Sequence, residues 1–427
     1  MSVFLSSGQE SLFFYVIMTV LKFVFSGLIG FIIDHVQYTF NLLFGSQLLI
    51  LFSYCFYIVF IVKMVTDQIL FDYLYFANGF LIVGEQLGSI IILTLISKHF
   101  ESQEVPYQIG TFQKYSFLGT LFSYLIVFII LILYFVQNLA ITKFIQKYEY
   151  NIIILSIIPL IILLTETIFL YYSFPQFKNE AEELMPEIKT IPVQQKGNLL
   201  QALKNIFKTD SAWVALSAGI IMGIIKIWLG FQQNQLFKDS NDYILIYLII
   251  YAFLPTLISF CMISRIVKNY ENEQIPLQAL IDKSIESFVY FILSILIVTS
   301  VQQKIDLGQK ILLYIVFGIF QILQQYYLTV ISISGVSMIG IHKENYKNQG
   351  LTFGLLSMIE NGFAVWVVLA MAYGDHKEAI VYGFAFGYTL ISIISSKMLQ
   401  FDKQVNKTHN KVRIMEEDIR NGQLIDK

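Results

Sequence analysis

The chain contains 427 residues, of which 56% are hydrophobic and 14% are charged, and its formal net charge is −2. That charged fraction is far below the quarter found in soluble domains, and stretches such as 124–136 and 152–164 carry no charge at all. The composition therefore excludes a water-soluble globular protein, shows no basic excess for nucleic acid, and predicts an α-helical protein that crosses a lipid bilayer several times.

Apolar stretches long enough to cross a bilayer core of about 30 Å recur along the chain, five before a polar stretch at 175–209 and six after it. The first five cover about 11–33, 39–62, 68–97, 115–137 and 151–174. The later six cover about 210–236, 242–264, 284–302, 308–340, 351–373 and 378–397. The predicted fold is an all-α membrane protein with two helical bundles, 1–174 and 210–397, a central loop at 175–209 and a tail at 398–427.

Basic residues are distributed unequally between the two sides of these spans. The side that holds the central loop and the tail collects 19 Lys and Arg residues, whereas the opposite loops collect seven. Loops rich in Lys and Arg stay on the cytoplasmic side of a membrane. The central loop and the tail are therefore predicted to be cytoplasmic, and the odd number of spans predicts an N-terminus on the opposite side.

The end of the central loop, 198–208, carries apolar residues broadly on one side of a helix, with Lys204 and Lys208 nearby. These apolar residues are Leu199, Leu200, Leu203, Ile206 and Phe207. The pattern is typical of an amphipathic helix that lies on a membrane surface. It also fits a solvated linker that leads into the next span, and the sequence leaves both interpretations open.

Charged residues inside the spans are the candidate functional residues, because a charge in the membrane is costly unless it is paired or faces water. The residues that meet this criterion are Lys22, Glu85, Glu166, Lys226 and Glu360. We expect them to line a substrate site in which the glutamates neutralise the lysines or exchange protons with solvent. The alternative is structural ion pairing between helices, or snorkelling of the side chains near helix ends.

Glycines at a spacing of three or four residues predict close helix packing. The pairs are Gly27 with Gly30, Gly84 with Gly88, and Gly383 with Gly387. The sequence contains no phosphate-binding glycine loop, zinc-binding pair of helical histidines or nucleophile elbow. We therefore expect no enzyme activity, no catalytic residue, no cofactor and no metal site, and we expect Cys55 and Cys261 to be small buried residues.

The stretch Gly30-Phe31-Ile32-Ile33-Asp34-His35 resembles the signature loop of the major facilitator superfamily. In that family the glycine permits tight packing, and the aspartate caps a helix and pairs with basic groups in the closed state. The resemblance implies a conformational latch at Gly30 and Asp34.

Lys98-His99-Phe100 with Glu104 is similar to the segment between the family's fourth and fifth helices. In this alignment the chain begins where the family's second helix begins.

A narrower resemblance is to the lysosomal dipeptide transporter branch. It is carried by 29–34, by Val83-Gly84-Glu85-Gln86, and by Gly350-Leu351-Thr352-Phe353-Gly354 followed by Glu360-Asn361. It implies that Glu85 meets the amino terminus of a peptide, that Glu360 and Asn361 line the wall of the second bundle, and that the membrane is lysosomal or vacuolar. The branch's basic residue on the fifth helix has no counterpart at 115–119, and the second copy of the signature loop is reduced to 264–267.

These features favour a secondary transporter of the major facilitator type that moves a small polar organic solute, such as a dipeptide or an amino acid, by alternating access. The alternative is a transport-inactive protein of the same fold that serves as a membrane scaffold or regulatory subunit for an accessory membrane protein. Either the given start omits the family's first helix or the protein lacks it. A lack of that helix, together with the reduced second signature loop, would favour this alternative. A carrier requires Glu85 and Lys226 to face one water-filled space, whereas a scaffold does not.

Overall fold

The computed structural model describes residues 9–35, 39–65, 71–101, 104–137, 157–173, 203–204, 206–207, 213–225, 253–268, 274–301, 307–341, 348–373, 383 and 386–398. All regular secondary structure within these ranges is helical. Lys226, most of the predicted central loop and nearly all of the predicted tail lie outside the described residues.

Eleven helices follow one another through the described ranges. The first five are α1 (Gln9–His35), α2 (Thr39–Val65), α3 (Phe71–His99), α4 (Val105–Gln137) and α5 (Ile157–Ser173). The next three are α6 (Trp213–Ile225), α7 (Leu254–Lys268) and α8 (Gln274–Val301). The last three are α9 (Leu307–Ile341), α10 (Gln349–Tyr373) and α11 (386–398).

Two helices begin ten residues earlier than the sequence predicts. The predicted loops 98–114 and 265–283 contain the first turns of α4 and α8, which start at Val105 and Gln274. Hydropathy detects only the uniformly apolar part of a helix. The early turns are amphipathic instead, and their apolar members Ile109 and Leu280 are fully buried. Backbone hydrogen bonds continue the helix through these mixed turns.

Four described helices have the length and apolar composition needed to cross a membrane: Ile17–His35, Asn41–Phe60, Tyr73–His99 and Ile315–Ile341. Their outward faces are apolar as well. On α1 the exposed residues Val20, Val24, Leu28 and Ile32 recur every four positions and form one stripe. Such a stripe is stable against lipid tails and unfavourable in water. The chain is an integral membrane protein.

The two predicted bundles touch along two seams. In the first seam α1 packs along α10, and in the second seam α4 packs along α7. Buried apolar residues from both bundles form one cluster, which includes Ile29, Ile91, Ile331 and Phe353. The bundles are therefore packed together at the end of the molecule where α1 and α3 finish and α4 and α10 begin. We call this the latch end.

Glycines allow the close approach in the first seam. A Cβ atom on Gly30 would overlap the carbonyl oxygen of Gly350 and lie 3.0 Å from the Cα atoms of Leu351 and Gly354. A Cβ atom on Gly27 would lie 3.0 Å from Sδ of Met358. The backbones of α1 and α10 thus cross in direct contact, and the predicted packing role of Gly27 and Gly30 is confirmed.

The other glycine pairs differ from each other. A Cβ atom on Gly84 would lie 3.0 Å from the carbonyl oxygen of Ser46, and one on Gly88 would lie 3.2 Å from Oγ of Ser46, so this pair brings α3 close to α2. Around Gly383 and Gly387 a Cβ atom would meet nothing within 4 Å in the described part of the chain. The predicted close packing at this third pair therefore stays a prediction.

The prediction that Cys55 and Cys261 are buried is wrong, since both are exposed free cysteines. A thiol within an apolar stretch can face the protein or the lipid, because both surroundings are apolar. Hydropathy alone does not distinguish the two faces of a membrane helix.

Replacement of Gly30 by alanine should destabilise the protein, because the added Cβ forces the backbones of α1 and α10 apart. Overpacking of this kind costs about 1–3 kcal/mol. Gly45 on α2 is the matched control, since a Cβ atom there meets nothing within 4 Å among the described residues and alanine is the better helix former. Thermal unfolding of the purified protein in detergent should show a lower midpoint for Gly30→Ala and an unchanged or higher one for Gly45→Ala. Equal midpoints would show that the glycine contact is dispensable.

Candidate functional site

Asp34 caps the start of α10 from the neighbouring helix α1. Its Oδ1 atom accepts a hydrogen bond from the Gly350 amide at 2.9 Å, and its Oδ2 atom accepts one from the Leu351 amide at 2.7 Å. These two amides belong to the first turn of α10, where a helix has no internal acceptors for its N–H groups. The carboxylate also lies at the positive end of the helix dipole. The contact is therefore both a cap and an electrostatic bond between the bundles.

Lys98 at the end of α3 supplies the counter-charge. Its Nζ atom lies 3.6 Å from Oδ1 of Asp34, whose side chain is only 2% exposed. A carboxylate removed from water needs such partners, because an unpaired buried charge is strongly destabilising. Asp34 has two amides and one ammonium group around it. We call Gly30, Asp34, Lys98, Gly350 and Leu351 the latch.

Gln349 joins a fourth helix to the latch. Its side-chain amide donates to the carbonyl oxygens of Ile339 and Gly340, each at 3.3 Å. These carbonyls lie in the last turn of α9, where a helix lacks internal donors. The start of α10 is thereby bound to the end of α9 within the second bundle, while Asp34 binds it to the first.

Ser26, Gln86, Ser357 and Asn361 form a polar floor across the first seam. Ser26 and Ser357 both donate to Oε1 of Gln86, at 3.2 and 2.7 Å, and their hydroxyl oxygens are 3.1 Å apart. Asn361 donates to the backbone carbonyl of Ser357 at 2.7 Å. Ser26 lies eight residues before Asp34, which is about 12 Å along the helix. The floor is thus a second polar contact between the bundles, deeper in the membrane than the latch.

Glu85 lies at the middle of α3, next in sequence to Gln86 of the floor. Its side chain is exposed, and within the described part of the chain its carboxylate makes no hydrogen bond or ion pair. Lys22 on α1 is close enough to interact with it electrostatically, as are Tyr54 and Tyr57 on α2. Tyr57 donates its hydroxyl to Asn78 at 2.5 Å. The two predicted residues Lys22 and Glu85 are therefore brought together.

The remaining predicted site residues have different surroundings. Glu166 on α5 accepts a hydrogen bond from Gln47 of α2 at 3.3 Å, and no contact joins it to Lys22 or Glu85 in the described ranges. Glu360 is half-buried on α10, next to the floor residue Asn361. Lys226 falls outside the described residues, so its predicted place beside Glu85 stays a prediction.

The sequence analysis missed two charged residues that make contacts in the structure, Glu286 and Lys114. Glu286 lies inside the predicted span 284–302. Its two carboxylate oxygens accept hydrogen bonds from Nζ of Lys283, one turn earlier on α8, at 2.7 and 2.8 Å. Lys114 crosses the second seam, where it donates to Oγ of Ser264 at 3.0 Å and lies 5.4 Å from the ring centre of Phe260. Glu286 could have been found from its position inside a span. Lys114 was placed in a loop because the start of α4 was placed too late.

No protein-family model and no curated protein matches the chain, but solved structures of transporters match it over most of its length. One is a bacterial homologue of the iron transporter ferroportin in an outward-facing state, with a TM-score of 0.59, 13% identity, and coverage of 93% of this chain and 92% of that one. Another is the E. coli fucose:proton symporter FucP, with a TM-score of 0.55, 10% identity, and coverage of 91% and 92%. The human organic anion transporter MFSD10 gives a TM-score of 0.53, 13% identity, and coverage of 90% and 82%.

At these identities the likeness shows the fold alone. FucP is a major facilitator superfamily transporter, and the chain has the two-bundle, all-α fold of such transporters, as its sequence predicts. The narrower likeness to the lysosomal dipeptide transporter branch stays a prediction.

Replacement of Asp34 by alanine should weaken the first seam, because the amides of Gly350 and Leu351 lose their acceptor and Lys98 loses its counter-charge. An unsatisfied buried donor costs about 1–3 kcal/mol. Asp34→Asn retains one acceptor oxygen and should cost less, and Asp282→Asn is the control because Asp282 is exposed on α8. Amide hydrogen exchange in the first turn of α10 should be fastest in Asp34→Ala, slower in Asp34→Asn and slowest in the wild type. Equal exchange in Asp34→Ala and wild type would contradict the role of the cap.

Proposed function

We propose that the protein is a secondary transporter that moves a small polar organic solute across its membrane by alternating access. The observation that carries the proposal is the bond between Asp34 and the first turn of α10. This bond joins the two bundles and forms only when they are packed together at the latch end.

The latch has the energetics of a reversible contact. When the bundles part, water can hydrate the carboxylate of Asp34, the ammonium of Lys98 and the two amides of α10. A hydrogen bond that is exchanged for bonds to water contributes only about 0.5–1.5 kcal/mol. A few kcal/mol between two states leaves both of them accessible, and a ligand can then shift the balance by its difference in affinity. Alternating access needs such a balance.

Glu85 and Lys22 are the proposed centre of the substrate site, with Glu166, Glu360, Asn361 and Lys226 as further members. An intramembrane carboxylate that is exposed and has no bonded partner among the described residues is a functional candidate. An amino acid or a dipeptide carries an ammonium group for Glu85 and a carboxylate for Lys22 or Lys226. The resemblance of 83–86 to the dipeptide transporter branch favours these solutes.

The polar floor explains how the site would be separated from the latch end. Ser26, Gln86 and Ser357 close the first seam between Glu85 and Asp34 along their helices. A solute bound at Glu85 would leave through the latch end only after both the floor and the latch had opened. We further propose that the latch end, the central loop and the tail face the cytoplasm, and that the membrane is lysosomal or vacuolar, as the resemblance implies.

Replacement of Glu85 by glutamine should abolish stabilisation by the solute, because the neutral amide cannot balance an ammonium group. A ligand at 100 times its Kd stabilises the protein it binds by about 2.7 kcal/mol. The measurement is thermal unfolding of the purified protein against amino acids and dipeptides, with the exposed Glu104→Gln as control. Stabilisation that survives in Glu85→Gln would remove Glu85 from the site. If no amino acid or dipeptide stabilises the wild-type protein, the proposed solute class is wrong.

A further inference from the structure

A short turn from the central loop is packed against the outside of the first seam. We define the linker turn as Leu203, Lys204, Ile206 and Phe207. The Phe207 amide donates to the carbonyl oxygen of Leu203 at 3.0 Å, which is one turn of helix. The sequence leaves open whether this part of the loop lies on a membrane surface or is solvated. Neither interpretation fits Ile206, whose side chain is 0% exposed.

Ile206 is buried in an apolar cluster to which both bundles contribute. It forms a cluster with Leu351 and Leu355 on the first two turns of α10, and Phe31 of α1 packs against the same cluster. Leu203 and Met358 complete its surroundings. The linker turn therefore covers the line where α1 meets α10, rather than the surface of one helix.

The latch residue Leu351 is also a member of the cluster around Ile206. The backbone amide of Leu351 donates to Asp34, while the side chain of Leu351 is 2% exposed and packs against Ile206. Phe31 lies three residues before Asp34 on α1. A movement that separates α10 from α1 would break the hydrogen bond and open the apolar cluster at the same time.

The linker turn depends on this packing for its structure. The first turn of any helix is unfavourable by itself, because it orders several residues for one hydrogen bond. Lys204 and Phe207 are exposed, so among the described residues of this segment Leu203 and Ile206 supply the contacts with the cluster. The turn is held in place by α1 and α10, and by thermodynamic reciprocity it holds α1 and α10 together.

We propose that the linker turn is a clamp that stabilises the closed latch end, with Ile206 seated between Phe31, Leu351 and Leu355 when the bundles are together and released when they part. The inference rests on the proposed alternating-access function. It assigns to the central loop a direct part in the conformational balance, in addition to its role as a connection between the bundles.

The test uses a single-cysteine reporter at Ser26, which is 0% exposed within the seam and is not a member of the cluster around Ile206. In the full chain, with Cys55 and Cys261 replaced by alanine, Ser26→Cys is alkylated by a membrane-permeant maleimide in nanodiscs. The rate reports opening of the seam. Ile206→Ala should raise it about tenfold or more, since removal of a fully buried isoleucine side chain leaves a cavity.

Two variants and one reference make the result specific. Ile206→Leu conserves volume and should restore the rate to within about threefold of the starting value, and Lys204→Ala should leave it unchanged because Lys204 is exposed. Asp34→Asn is the reference that opens the latch directly. Faster alkylation with Ile206→Ala, restored by Ile206→Leu, supports the clamp.

An unchanged rate in Ile206→Ala, together with a raised rate in Asp34→Asn, overturns the clamp and leaves the proposed transport function standing. If Asp34→Asn also leaves the rate unchanged, the first seam does not open through the latch, and the proposed alternating access at this end is contradicted. If Ile206→Ala accelerates hydrogen exchange only within the first turns of α10 and leaves the reporter unchanged, Ile206 has a local packing role and the clamp is overturned.

Discussion

The bond between Asp34 and the first turn of α10 is the interaction on which the arrangement of the two bundles depends. A helix end inside a protein exposes N–H groups that need acceptors, and a carboxylate removed from water needs donors and a positive partner. Each of these requirements is met by the other bundle. If the bundles moved apart without water entering, the Asp34 carboxylate would lose its donors and the amides of α10 would lose their acceptor. Opening of this end therefore requires that water enters it.

The contacts around this bond follow from it. The backbone of α10 can reach Asp34 only if α1 and α10 cross at close range, which requires Gly30, Gly350 and Gly354. That crossing places Ser26 beside Ser357 two turns deeper, where Gln86 joins them. On the outside it creates the apolar site for Ile206. The second seam is built differently, with Lys114 bonded to Ser264 across α4 and α7, and no glycine-to-glycine contact is found there in the described residues.

The local features of the fold were predictable and the pairings between distant residues were not. The spans follow from apolar length, and the roles of Gly27 and Gly30 follow from spacing and resemblance. The starts of α4 and α8 were placed ten residues late, because their first turns mix polar and apolar residues. Glu85, Lys22 and Glu166 were identified as membrane charges, but the hydrogen bond between Gln47 and Glu166 was not predicted, since helix order along a chain does not specify which helix faces which. Lys114 was overlooked because the start of α4 was placed too late.

By itself the sequence determined that this chain crosses a bilayer as helices, because apolar length and the absence of charge are properties of each segment alone. It also placed an aspartate and a glycine where a latch is expected. Only the tertiary structure decided what these residues contact: that Asp34 binds the amides of Gly350 and Leu351, that Gln86 gathers two serines from opposite bundles, and that Ile206 is buried rather than lying on a surface. The physical reason is that lipid and protein interior are both apolar, so hydropathy specifies burial from water but not the partner.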